Sequence, residues 1–272
     1  MMIFVTTIIK LMGHQIHYNN LIILIYNKSG ELNHRFYFYG GMDMKTKSVF
    51  VTATGTDIGK TYISGLLVKK MRELNHNCGY YKPALSGAIR QNDGSLLAGD
   101  CDFVTKLAKL DIPSSSCVSY CFEEAVSPHL ASNRVGVEIK LDKILADFEN
   151  LSQNFDYLVV EGAGGITCPF CITEDKTMLL PDVIKKLGED IVIVADGGLG
   201  TINSVLLTVE YAKSQNLNIR GIILNNYDKN DFMHIDNKKQ VEYLTKIPVI
   251  ATVASGDTDL DIDEKVLLNI FD

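Results

Sequence analysis

Positive charge is what this 272-residue sequence is short of: 26 Lys and Arg face 33 Asp and Glu, for a formal net charge of -7 and a pI near 5.4. Nucleic acid and anionic membranes both select basic surfaces, so neither is expected as the main partner. Long apolar runs are missing too. The first forty residues contain "MMIFVTTIIKLMG" and "LIILIY", but Lys10 and the polar "HQIHYNN" interrupt them. Neither run reaches the roughly 18–20 residues that a membrane span needs. A basic start and a small-residue cleavage site are also absent, so no secretory signal is read there. Cysteine is sparse. Cys78, Cys101, Cys117, Cys121, Cys168 and Cys171 are scattered through a chain too long to be a disulfide scaffold, and reduced thiols in a cytoplasm are expected. Cys168 and Cys171 have metal or redox spacing, but no second such pair and no nearby His pair completes a zinc site. Tryptophan is absent, which excludes nothing. There is no internal repeat, no low-complexity tract and no dividing linker.

What is present reads as one α/β domain. A chain of this length buries roughly 70–75% of its unfolded surface and needs no staples. From Ser48 onward apolar runs alternate with helical patterns, as in a sheet covered on both faces. Expected strands are Ser48–Ala53, Cys78–Lys82, Tyr157–Glu161, Asp190–Asp196, Arg220–Asn225 and Ile247–Val253. "DIVIVAD" is apolar without alternation, which suits a strand buried on both sides. "KTYISGLLVKKMREL", "MLLPDVIKKLG", "INSVLLTVEYAKSQ" and "DEKVLLNIF" read as helices, and "SPHLASNRVG" with "LDKILADFENL" as a helical insertion between the second and third strands. Met42 and Met44 stand just ahead of the first strong strand. The expectation is that Met44 lies close to the natural start, with residues 1–43 a loose extension or start-site artefact and residues 44–272 the single domain.

Three stretches carry chemistry. In "SVFVTATGTDIGKTYIS" an apolar β-branched strand runs into Gly59, Lys60 and Thr61 and then a helix. The usual phosphate loop is G-x-x-x-x-G-K-[ST]; here Thr54 occupies the first glycine's position and the nearest glycine is Gly55. A loop between strand and helix N-terminus aims free backbone N–H groups at an anion, and the helix dipole adds to the attraction. Lys60 would reach the terminal phosphates, and the Thr61 hydroxyl would take a Mg²⁺ ligand position. In "DYLVVEGAGG" a strand ends in Glu161, an acid placed to hold Mg²⁺ directly or through water, and Gly162, Ala163, Gly164 and Gly165 let backbone approach phosphate. In "GYYKPALSG" a strand delivers Lys82, placed to neutralise charge on a transferring phosphoryl group. The fold class expected is therefore α/β, a doubly wound, mostly parallel sheet with helices on both faces, of the P-loop NTPase type.

"VTATGTDIGKT", "GYYKPALSG", "SPHLAS" and "VEGAGG", in this order and at these separations, together resemble the dethiobiotin synthetase family from about Ser48 to at least Pro248. The family's loop starts with a glycine six positions before the GKT glycine. Here that position is Ala53, so the loop length is kept and the glycine is not; alanine is tolerable there if φ stays negative. The resemblance implies an ATP- and Mg²⁺-dependent carboxylation of 7,8-diaminopelargonate with CO₂, through a carbamate and a carbamic–phosphoric anhydride, in a homodimer with shared active sites. It implies that Asp57, Ile58, Gly59, Lys60, Thr61 and Tyr62 wrap the phosphates, helped by Gly162, Ala163 and Gly164. Thr61, Asp100 and Glu161 would be the metal-binding oxygens. Asp102 is the alternative to Asp100, which is preferred because Phe103 and Val104 then fall on the family's apolar helix positions. Lys82 matches the family's catalytic lysine, acting with Lys60. Ser86 matches a substrate-contacting hydroxyl, with Thr56 close by.

The resemblance places adenine at "GIILNNY", on Asn225 and Asn226. A late G-x-I-P that often completes the adenine pocket is missing, and Ala254, Ser255, Gly256 and Asp257 stand after "IPVIATV". Gly200, Thr201, Ile202 and Asn203 match a helix start that reaches across the homodimer to the substrate's tail carboxylate, with Tyr243 a weaker candidate. The bland alternative for this stretch is a plain helix start capped by Thr201. Two rival functions share the fold: a partitioning-type switch ATPase and a non-catalytic module. The first usually carries an extra lysine early in the loop and an amphipathic tail, and this chain has neither before Lys60 nor in "DEKVLLNIFD". Joint retention of Lys60, Thr61, Lys82 and Glu161 speaks against the second.

Overall fold

The computed structural model describes residues 21–26, 32–38 and 46–272. The chain divides into two compact units, Met1–Lys45 and Thr46–Asp272. The described part of the first is an antiparallel pair, β1 (Leu21–Tyr26) and β2 (Leu32–Phe38). Met42 and Met44, on which the expected start rests, lie outside the described residues.

The second unit runs β3 (Lys47–Ala53), α1 (Lys60–Glu73), β4 (Cys78–Ser86), the small hairpin β5 (Ile89–Arg90) and β6 (Leu96–Leu97), and α2 (Gly99–Leu107). It continues through β7 (Val118–Phe122), α3 (Pro128–Val135), α4 (Leu141–Ser152), β8 (Tyr157–Glu161), the hairpin β9 (Pro169–Ile172) and β10 (Thr177–Leu179), and α5 (Leu180–Leu187). It ends with β11 (Asp190–Asp196), α6 (Thr201–Ser214), β12 (Ile219–Asn225), α7 (Phe232–Thr245), β13 (Val249–Thr252) and α8 (Glu264–Asn269). Seven strands form one sheet in the order β13–β12–β11–β3–β8–β4–β7, and every pairing in it is parallel.

Why these segments are strands follows from the two cores they separate. Alternate residues of β3 go to opposite faces: Val49, Val51 and Ala53 pack with α1, α2 and α8 through Ile63, Leu66, Val104 and Leu267. Phe50 packs on the other side with Ile144 of α4, Ile184 of α5 and Val205 of α6. A strand apolar on both faces and covered by helices on both is the parallel-sheet solution to hiding its backbone groups. The chain moves outward from β3 in one direction to β4 and β7, returns to β8, and then moves the other way to β11, β12 and β13. That reversal opens a crevice at the carboxyl ends of the strands beside β3, where ligands of such sheets bind.

Several boundaries differ from the sequence reading. The helix expected from "MLLPDVIKKLG" begins only at Leu180, because Pro181 sits in the first helical turn, where its missing N–H is no loss; Met178 and Leu179 belong to β10. The last sheet strand is shorter than Ile247–Val253, starting after Pro248. β7 is an additional strand at the sheet edge, and α2 and α7 are additional helices.

Candidate active site

The phosphate loop is built by an abrupt end to β3. Ala53 is fully buried and still in register with Val194 of β11, and the next amide, of Thr54, donates to the Val194 carbonyl at 3.0 Å. Ala53 is therefore ordinary extended backbone, and the family glycine is not needed at this position. The special conformations come later, at Asp57 (φ 59) and Gly59 (φ 89). Gly59 is the N-cap of α1 and offers no side-chain cap, so the first amides of that helix stay available to an anion. The Lys60 ammonium arches back to the Gly55 carbonyl at 3.0 Å. Burial pushes the Lys60 pKa down, with Glu161 acting against that and Lys82 adding to it.

Two neighbours hold the loop in shape. Asn225, at the end of β12, donates its side-chain amide to the Ile58 carbonyl at 3.0 Å. The glycine turn after β8 lies against the loop from the other side: a Cβ on Gly165 would stand 3.3 Å from the Gly55 Cα, and one on Gly164 would stand 3.1 Å from the Cys168 sulfur and 3.8 Å from the Thr56 hydroxyl. The backbones approach this closely because these positions carry no side chain.

Beside the loop sits a charged cluster. Val51 of β3 pairs with Glu161 at the end of β8, and Tyr80 of β4 pairs with Val159 of the same strand. Period-two alternation then puts Tyr80, Lys82 and Glu161 on the α1 face of the sheet. Glu161 is fully buried. Its Oε1 accepts from the Thr61 hydroxyl at 2.8 Å and from the Lys82 ammonium, while its Oε2 accepts from the Tyr80 phenol at 2.7 Å. Lys82 also pairs with Asp100 of α2, 2.8 Å from Oδ2. Burial opposes the charge on Lys82, but Glu161 and Asp100, through charge and hydrogen bonds, outweigh it and raise the lysine above its ordinary range. Asp102, the alternative acid, instead pairs with Lys106 on the outer face of α2 at 2.7 Å. The Glu161 and Asp100 carboxylates that meet at Lys82, with the Thr61 hydroxyl bonded to Glu161, are hard oxygen donors, the chemistry that Mg²⁺ prefers.

The other candidate residues lie as follows. Ser86 closes β4, and its buried hydroxyl has no partner among the described residues. Asn226 adopts φ 53 and gives its side-chain amide to Asp196 at 2.8 Å, so it is tied to the end of β11 and not to the phosphate loop. Tyr62 donates to the Asp257 carbonyl, which fastens the loop helix to the turn at Ala254–Asp257; within that turn Asp257 accepts from the Ala254 amide at 2.8 Å. The α6 start differs from the plain capped helix: Gly200, at φ 91, is the N-cap, and Thr201 is already helical, its buried hydroxyl unpartnered among the described residues. Among the described residues no hydrogen bond or ion pair joins Gly200–Asn203 to the Lys82 cluster. Tyr243 is exposed, with the Lys246 ammonium 4.2 Å from its ring centre. Sequence reasoning missed Tyr80, whose only signal was its place two residues before Lys82 on an alternating strand.

Residues 47–258 match the family model described as an AAA domain, which agrees with the phosphate loop and parallel sheet and sets the broad class. The ATP-dependent dethiobiotin synthetase BioD of Clostridium botulinum (strain Eklund 17B / Type B) is 50% identical over 226 residues, covering 83% of this chain and 98% of the relative. The protein of the same name from C. botulinum (strain 657 / Type Ba4) is 47% identical over 226 residues, with the same coverage of 83% and 98%. Among solved structures, a ParA family ATPase from Chlorobium tepidum TLS is 14% identical with a TM-score of 0.46, covering 84% of this chain and 90% of that one. The chain belongs to the ATP-dependent dethiobiotin synthetase family.

Proposed function

We propose that this protein makes dethiobiotin from 7,8-diaminopelargonate, CO₂ and ATP, a step of biotin biosynthesis. The observation that carries the reading is the buried pair Lys82 and Glu161, joined by the half-buried Thr61 and Asp100 beside the phosphate loop, in a chain half identical to named synthetases. One substrate amine adds CO₂ and loses a proton, giving a carbamate. A carbamate oxygen attacks the γ-phosphorus, and the bond to ADP breaks. The second amine then attacks the anhydride carbonyl, loses its proton and expels phosphate, closing the cyclic urea.

This chain's residues supply position and charge. Lys60 and the first amides of α1 grip the phosphates. Lys82, permanently cationic in its acidic surroundings, faces the oxygens on which charge grows as phosphoryl leaves ADP, where a fixed cation in a dry site is worth most. Thr61, Asp100 and Glu161 would hold Mg²⁺, which when bound neutralises phosphate charge. Asn225 would read the base from the strand end that also braces Ile58. Ser86 and Thr56 would touch the diamine. The exposed apolar side chains Leu199, Leu207 and Phe232 lie just before α6, on α6 and at the start of α7 respectively, and we assign that surface to a homodimer in which Gly200, Thr201, Ile202 and Asn203 of each chain meet the partner's substrate carboxylate. The expected compartment is the cytoplasm.

The test is incorporation of labelled bicarbonate into acid-stable product with diaminopelargonate, MgATP and the protein, beside Lys82→Ala. Product should require every component and fall by about 10²–10³-fold in the variant, the usual cost of removing one transition-state donor. ATP hydrolysis without fixed carbon would overturn the reading in favour of a switch ATPase, and no nucleotide turnover at all in favour of a non-catalytic module.

A further inference from the structure

Glu161 is asked to do two things that conflict. It is fully buried, so its charge must be compensated, yet it must present an oxygen to the site in one fixed orientation. The structure divides these tasks between its two oxygens. Oε1 faces Thr61 and Lys82. Oε2 faces away from them and is held by the Tyr80 phenol at 2.7 Å. The phenol is itself fully buried, and its ring packs in the core between sheet and α1 with Val49, Val159 and Cys101. It reaches Glu161 along the sheet face, from opposite Val159 to the residue two further on.

We propose that Tyr80 is a positioning residue for this reaction: its hydroxyl pins the Glu161 carboxylate in the rotamer that presents Oε1 to the metal and to Lys82. The proposal rests on the functional reading above, in which Glu161 is a metal-holding acid. A hydrogen bond to an ionised acceptor is short and strong, and a donor on the far oxygen fixes a ligand's direction without occupying the face it presents. Partners of this outer kind typically tune metal affinity or activity by about 10–100-fold. Nothing else among the described residues bonds Oε2. Without the phenol the carboxylate would either lie with a buried, unsatisfied oxygen or rotate, and rotation would take Oε1 off Thr61.

The experiment compares the unsubstituted protein with Tyr80→Phe and Glu161→Gln, reading Mn²⁺ binding in the presence of ADP by electron paramagnetic resonance, and then kcat and KM in the labelled-bicarbonate assay. Tyr80→Phe should weaken Mn²⁺ by about tenfold or more and lower kcat by a similar factor, with KM for the diamine changed less than about twofold. Weakened binding in Glu161→Gln but unchanged binding in Tyr80→Phe would overturn the role of Tyr80 while leaving the functional reading intact. Unchanged binding in both would overturn Glu161 as a metal-holding acid, and the proposal with it. Should Tyr80→Phe fail to fold, the melting temperature of Tyr80→Phe/Glu161→Leu decides. Recovery of folding there shows that the phenol served the carboxylate; no recovery shows that it served only the core, and overturns the proposal.

Discussion

Gly59→Ala tests how the phosphate loop is held. Gly59 has φ 89, in the left-handed region that costs a residue with a Cβ about 1–2 kcal/mol. A Cβ at that position would also stand 2.2 Å from the Asn225 amide nitrogen, well inside contact distance. Asn225 is a side-chain tip and can swing away, but it then gives up its 3.0 Å bond to the Ile58 carbonyl, a further loss of about 1 kcal/mol. The sum is about 2–3 kcal/mol, and for a domain of this size each kcal/mol lowers Tm by about 2–4 °C. Gly59→Ala should therefore melt roughly 4–12 °C lower and lose ATP binding, because the amides that point at phosphate belong to the same turn. Differential scanning calorimetry and ATP titration measure the two effects. The control is Gly59→Ala/Asn225→Ala. Deleting the obstructing amide removes the steric part, so the double variant should be less destabilised than the sum of the singles by about 1 kcal/mol. A Gly59→Ala protein that melts within about 1 °C of the original and binds ATP normally would refute the reasoning. Full additivity in the double variant would refute the assignment of the steric part to Asn225.

Other expectations concern the core, the charge cluster and the α6 start. A Cβ on Gly79 would meet the Phe155 ring at 2.5 Å, so Gly79→Ala should lose about 1–3 kcal/mol by overpacking, with partial recovery in Gly79→Ala/Phe155→Leu, read as urea midpoints. Glu161 and Asp100 overcome burial to raise the Lys82 pKa above its ordinary 10.5. Its stabilising share is thus complete below the unfolded value and is lost as pH rises through the folded one. Urea midpoints taken from about pH 8 to 12 should fall more steeply above 10.5 in the original protein than in Lys82→Met, and parallel curves would contradict the pairing. Thr201 carries a buried hydroxyl with no partner among the described residues, so Thr201→Val should leave Tm unchanged or raise it by about 2–4 °C, the effect of about 1 kcal/mol. The same variant should raise KM for the diamine several-fold if the hydroxyl meets substrate.

The segments that could be read from sequence are those whose side chains report burial directly. β11, "DIVIVAD", is apolar on both faces and sits in the middle of the sheet with those bounds. α7, "FMHIDNKKQVEYLT", shows the opposite case. Its buried positions are Asn237, Val241 and Thr245, a stripe at helical spacing in which two of three residues are polar, so a hydrophobicity pattern has almost nothing to register. Asn237 is there because it donates to the carbonyls of Gly197 and Gly198, at 3.0 and 2.9 Å, just before α6, and Thr245 because its hydroxyl returns to the Val241 carbonyl at 2.7 Å. β7 escaped notice for a related reason: as an edge strand it buries only Tyr120 and Phe122 of its five residues. The active site divides along the same line. Lys60, Thr61, Lys82 and Glu161 stand in motifs because phosphate chemistry fixes both residue type and spacing. Tyr80 answers only to the geometry of Glu161, one strand away and 81 positions along the chain, so its role depends on the register between β4 and β8 and on no local pattern. Asn225 combines an expected and an observed role: the family resemblance makes it a candidate base reader, and its bond to the Ile58 carbonyl makes it a brace for the loop. A substitution there should therefore disturb phosphate and base together, which a residue that only read the base would not do.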